Sequence, residues 1–175
     1  MIRYLLFIIL FVLFLIEGTV FQIFAPDQYG VSYLFIPRWV FLVIIFTGIY
    51  RGRGAGTLYA VIFGVLYDVI YSSVLGIYTF SMGLIAYLFS ISIPFFQRNL
   101  TVAILTSLAA ITLLDYFIYG MMLIIGLASI SHEEFLTGRF IPSFLMNALV
   151  IIILAYPLRK LFYFIKRRSE ENDKL

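Results

Sequence analysis

Between Tyr4 and Ile165 the chain is a succession of apolar runs, separated by polar breaks none of which is longer than the charged tail that follows. Runs near ~20 residues with few charges are read as membrane-spanning helices, because that length of helix matches the hydrocarbon thickness. The balance of 63% hydrophobic and 12% charged residues leaves no room for a soluble domain, since globular chains hold about 45–50% apolar and about 25% charged residues. The expected fold class is an all-α polytopic membrane protein of about six transmembrane helices in one domain. With no cysteine, disulfides, thiolate metal sites and thiol catalysis are excluded.

The breaks place the spans at about 4–24, 33–50, 55–70, 77–93, 100–128 and 140–165, a membrane domain over 1–165 followed by a charged tail at 166–175. The first run is too long for a signal-peptide core and carries no small-residue cleavage site, so it is read as a retained span. Residues 25–32 form a turn-rich loop, and Pro37 belongs to the first turn of the second span or to a kink in it. The run at 100–129 exceeds a bilayer core, so it tilts, extends beyond the membrane, or breaks at Gly120 or Gly126. Residues 131–134 are expected as a polar loop. With this count Arg3, Arg51, Arg53, Arg98 and the basic tail from Arg159 share one side, while Asp27, His132, Glu133 and Glu134 share the other. The positive-inside rule then puts both termini in the cytoplasm.

Gly56, Ala60, Gly64 and Asp68 recur every four residues and so share one helix face. Small residues so spaced let a neighbouring helix approach closely in a membrane, which makes the four a candidate partner or helix contact ending in a charge. Glu17, Asp68 and Asp115 each lie roughly 20 Å from the cytoplasmic ends of their spans, counted by helical rise. Arg38 and Arg139 start their spans at the same outer level. Charges avoid lipid and turn inward, so these five form a candidate outer charge cluster, with the acids as acceptors and the arginines as bidentate donors. Each has a plainer reading beside it. Asp68 holds helices together, lines a ligand pocket or relays protons; Glu17 and Asp115 snorkel or pair helices; the arginines anchor at the interface. Replacing Asp68 or Gly64 by leucine is expected to weaken partner binding or helix packing more than removing the last six residues.

Other motifs carry less. His132 beside Glu133 and Glu134 lacks metal-ligand spacing and reads as a solvated loop. Gly52, Gly54 and Gly56 in a loop with two arginines, Arg51 and Arg53, suggest an anion nest, but match no nucleotide fingerprint; a cytoplasmic turn touching lipid phosphates fits better. The basic start of the tail suits an anionic inner leaflet, and nucleic acid is not expected. No nucleophile–base pair or cofactor box is recognisable, so neither catalysis nor a cofactor is expected.

These residues carry a family resemblance. The acid late in the first span, Pro37 with Arg38 and Trp39, the stretch 64–80 around Leu66, Tyr67, Asp68 and Leu75, Gly76, Ile77, Tyr78, the pair Asp115 and Tyr116, Arg139 to Pro142 and the short charged tail together resemble the bacterial rod shape-determining MreD family. The resemblance covers nearly the whole chain, and its most specific part is 64–80. It implies a non-enzymatic subunit of the cell-elongation machinery in the bacterial cell membrane, acting with MreC and through it with MreB, the glycosyltransferase RodA and a class B penicillin-binding protein in lateral peptidoglycan synthesis. It also implies a fold similar to the substrate-binding subunits of energy-coupling-factor vitamin transporters, whose function is the rival reading. Those subunits often carry an Ala-x-x-x-Ala contact motif in their first helix, whereas residues 4–24 contain no alanine.

Overall fold

The structure is a computed structural model that describes residues 2–23 and 33–172. The expected loop at 25–32 with Asp27, the end of the tail with Lys174, and the side chains of Arg3, Lys166 and Arg168 lie outside what it describes. All regular structure among the described residues is helical: α1 (Ile2–Ile23), α2 (Trp39–Arg51), α3 (Arg53–Tyr71), α4 (Ile77–Phe89), α5 (Pro94–Arg98), α6 (Leu100–Ile124), α7 (His132–Glu134), a π-helical segment (Phe135–Phe140) and α8 (Ile141–Asn172). Among the described residues three stretches are long and apolar enough to cross a membrane, namely Arg53–Tyr71, Leu100–Ile124 and His132–Ile165. Tyr4–Thr19, Trp39–Arg51 and Ile77–Phe89 are apolar but shorter.

The short helix α2 is the axis of the bundle. Its residues 40–50 are all buried, and α1, α3, α4, α6 and α8 all pack on it. A helix apolar on every side can be buried on every side. Its Thr47 hydroxyl donates back to the Val43 carbonyl at 2.8 Å and its Tyr50 hydroxyl to the Gln97 carbonyl at 3.3 Å, so neither is an orphan in the core. The outer helices keep apolar residues on their far faces, as with Ile8, Phe11 and Leu15 on α1 and Leu145, Leu149 and Ile152 on α8, all exposed. Water would penalise such a belt; lipid does not.

The second run is helical only from Trp39, where a span over 33–50 was expected, and residues 33–38 are extended. Pro37 explains the difference, since it disfavours helix at the residue before it and has no N–H to give. An extended backbone within a bundle must find partners elsewhere, and the π-helical segment and α8 supply them. Leu34 N donates to the Gly138 carbonyl at 2.8 Å. Ser143 Oγ accepts from Ile36 N at 2.9 Å and donates to the Leu34 carbonyl at 3.1 Å. One turn on, Asn147 Oδ1 accepts from Arg38 N at 2.9 Å and its Nδ2 donates to the Ile36 carbonyl at 3.0 Å. Ser143→Ala is expected to cost about 1–3 kcal/mol, the penalty of an unmade buried hydrogen bond. Hydrogen exchange at the Ile36 amide should accelerate while exchange in α6 stays unchanged.

Other boundaries move for local reasons. The break between α2 and α3 is Gly52 alone, at φ 103°, so Gly54 and Gly56 are helical rather than part of a loop. The fourth helix ends at Phe89, four residues short of the expected 93, and Pro94 opens the separate α5. Helix α6 runs straight through Gly120 and ends before Gly126, whose φ of 77° closes it. The Gly126 N–H returns to Leu123 O and the Leu127 N–H to Met122 O, the Schellman pattern. Residues 131–134, expected as a loop, are the capped start of the last helix. Ser131 Oγ accepts from Glu134 N, and Glu134 Oε2 accepts from Ser131 N, a capping box that begins the helix eight residues before 140.

Candidate functional site

The small-residue face of α3 lies inside the bundle. Gly56, Ala60, Gly64 and Asp68 are all buried. A Cβ on Gly64 would come within 2.7 Å of the Thr79 Cα, and one on Gly56 within 2.7 Å of the Gly48 Cα. Hydrogen at these positions is therefore what lets α3 lie backbone to backbone against α4 and α2. The closest approach on the α4 side falls beside the residue that closes the stripe, Asp68.

Asp68 meets no arginine; its carboxylate caps α4. Oδ2 accepts from Gly76 N and Thr79 N at 2.9 Å each and from Thr79 Oγ1 at 2.5 Å, and Oδ1 accepts from Tyr78 N at 2.8 Å. The N-cap residue itself is Gly76, at φ 103° and with no side chain to offer. A carboxylate from the preceding helix thus satisfies amides that the first turn leaves free, and it sits at the positive end of the α4 dipole.

Glu17 plays the same part for α2. Its Oε2 accepts from Val40 N at 3.0 Å and its Oε1 from the Tyr67 hydroxyl. The N-cap of α2 is Arg38, which makes no capping bond of its own. Acids late in α1 and α3 therefore each close the N-terminus of the helix that follows, and the second oxygen of Glu17 ties α1 to α3 as well.

Only Asp115 takes an arginine. Arg38 Nε donates to Asp115 Oδ1 at 3.0 Å, and Nη2 stands 2.9 Å from the same oxygen. Nη2 is poorly aligned for a hydrogen bond and has no other acceptor; its contact is electrostatic. Both side chains are buried, and the pair joins the entrance of α2 to the middle of α6. Arg38 also faces the Tyr78 ring, 5.5 Å from its centroid. Arg139 is in the π-helical segment, its guanidinium 5.9 Å from the centroid of Phe135. Among the described residues the Arg38–Asp115 contact is the one ion pair, so Arg139 has no carboxylate.

Glu17, Arg38 and Arg139 nevertheless share a space. They line one cavity of about 250 Å³, together with Tyr67, Tyr71 and Tyr78 and with Ile36 and Pro37 of the extended segment. Asp115 joins it through Arg38, while Asp68 reaches it only through the backbone of Tyr78. Of the five charges expected together, four are associated and one serves α4. Sequence reasoning named Tyr67 only within the family resemblance and passed over Ser143 and Asn147. The last two carried a usable signal: polar side chains one helical turn apart in an otherwise apolar run face a common partner. His132 and Glu133 begin the last helix, and Glu134 is occupied by its capping box.

Comparison with known proteins adds two matches. A family model described as rod shape-determining protein MreD matches residues 1–165. Over 136 residues the chain is 32% identical to the rod shape-determining protein MreD of Bacillus subtilis (strain 168), covering 78% of this chain and 79% of that protein. No solved structure gives a significant match.

Proposed function

The chain belongs to the rod shape-determining protein MreD family, and from that membership we propose that it is a non-enzymatic integral subunit of the bacterial cell-elongation complex. In this reading it supports lateral peptidoglycan synthesis by binding MreC, and through MreC it meets MreB, RodA and a class B penicillin-binding protein. The observation that carries the proposal is the family match over nearly the whole chain. The chain crosses the cell membrane six times with both termini in the cytoplasm, which fits the gathering of Arg51, Arg53, Arg98 and the tail on one side. A scaffold needs one fixed shape more than a reactive group. The carboxylates that pin the starts of α2 and α4 suit that need, and the stripe from Gly56 to Asp68 supports partner binding indirectly, by holding α2, α3 and α4 in a single arrangement.

The test is affinity purification of the tagged full chain from its host in mild detergent, with mass spectrometry of the proteins retained. An MreC-like single-span protein together with wall-synthesis enzymes is the expected result. The cavity beside Arg38 favours a second reading, a substrate-binding subunit of an energy-coupling-factor type vitamin transporter. Recovery of paired ATPases with a transmembrane coupling subunit, and no MreC, would establish that one instead.

A further inference from the structure

The cavity holds more donors than acceptors. Its one carboxylate, Glu17, has each oxygen engaged by the protein itself, Oε1 by the Tyr67 hydroxyl and Oε2 by Val40 N. Its two guanidiniums are not matched in the same way. Arg38 is 3% exposed, and its Nη2 has no aligned acceptor; Arg139 has no ion-pair partner among the described residues. Asp115 offsets the charge of Arg38 from outside the cavity lining, and Arg139 adds a second guanidinium with no counter-ion among the described residues, so the cavity keeps an excess of positive charge. The unaligned Nη2 of the buried Arg38 costs free energy until an acceptor arrives, and the half-buried Arg139 offers a second charged donor to the same acceptor. The remaining wall is aromatic and aliphatic, from Tyr71, Tyr78 and Ile36.

We propose that this cavity is a binding site for an oxyanion attached to an apolar body, a phosphate or carboxylate held between Arg38 and Arg139 with its apolar part over Tyr71 and Tyr78. A cation is disfavoured because no carboxylate oxygen in the cavity is left unengaged. The volume of about 250 Å³ is below the range of roughly 300–1,000 Å³ that takes a drug-sized ligand, so the site suits a headgroup or a small aromatic acid rather than a whole lipid. The inference stands apart from the MreC assignment, which rests on the family match, and shares its cavity only with the second reading.

The same chemistry has two sources, an anionic lipid headgroup and a free small anion, and one set of measurements separates them. The full chain, purified in detergent with equal phosphatidylglycerol and phosphatidylcholine, is examined by native mass spectrometry. In a parallel arm it is melted in phosphatidylcholine nanodiscs with benzoate or inorganic phosphate added. A lipid site gives wild type a preference of about tenfold for phosphatidylglycerol, the size of one charge-assisted contact, which Arg139→Gln abolishes. A free-anion site gives instead a raised melting midpoint with benzoate or phosphate that Arg139→Gln does not show. Arg159→Gln, about five turns along α8 and outside the cavity lining, keeps the wild-type response in either case. Met122→Trp, which fills the cavity and leaves both arginines in place, lowers binding as Arg139→Gln does and serves if that variant folds poorly. Absence of both responses in wild type overturns the proposal. So does a response that survives Arg139→Gln and Met122→Trp, or one that Arg159→Gln removes.

Discussion

Asp68→Leu is expected to detach the start of α4 from α3 and to lower stability by roughly 3–5 kcal/mol, a large part of the 5–15 kcal/mol that typically holds a domain together. The carboxylate accepts three backbone amides and the Thr79 hydroxyl. Leucine returns none of those bonds: it leaves the Tyr78 amide buried without an acceptor and those of Gly76 and Thr79 partly buried, and Gly76 has no side chain to replace the cap. Each such group costs about 1–3 kcal/mol, and the lost cap itself about 0.5–2 kcal/mol, with overlap between the two. Asp68→Asn keeps an acceptor at the same place and should lose much less, since asparagine caps nearly as well as aspartate. The melting midpoint of the purified chain in detergent, followed by circular dichroism, is the measurement. Equal midpoints for Asp68→Leu and wild type would remove the cap from the account of this fold.

The second large effect is at Arg38 and Asp115. Asp115→Leu leaves a guanidinium buried without its counter-ion, and Arg38→Met leaves the carboxylate in the same position; each should cost about 3–5 kcal/mol. The double variant should be more stable than either single one, because it removes both desolvated charges and fills the space with apolar atoms. That sign, measured as a coupling energy in a double-mutant cycle of melting or denaturant midpoints, distinguishes a buried pair from two independent contacts. Simple additivity of the two losses would mean that the 2.9 Å contact carries no energy of its own. Arg38→Met alone is expected to lose anion binding as well as stability, whereas Arg139→Gln loses binding chiefly.

Much of this architecture was legible in residue order. The apolar runs announce helices because hydrocarbon admits few other backbones, and Gly64 with Ala60 announces a close neighbour because hydrogen and methyl leave room for one. The runs were less informative about where helix stops. The extended segment 33–38 reads as membrane-spanning by composition alone, and only its bonds to Ser143 and Asn147, more than a hundred residues later in the chain, allow it to be non-helical inside the bundle. Likewise 131–134 is polar enough for a loop, yet its polarity is spent on a capping box.

Residue order is enough to read a membrane helix bundle, acids within the spans that turn inward, and a family, because each of these depends on side-chain chemistry that residue order displays. Tertiary structure alone decided what those acids hold. Opposite charges suggested arginine as the partner of every carboxylate, and Asp115 does take Arg38. Glu17 and Asp68 instead take the first amides of α2 and α4. Those amides belong to the backbone and are the same whatever residue carries them, so no residue code marks them as partners. A carboxylate finds them only after the helices have packed and brought an uncapped N-terminus within reach.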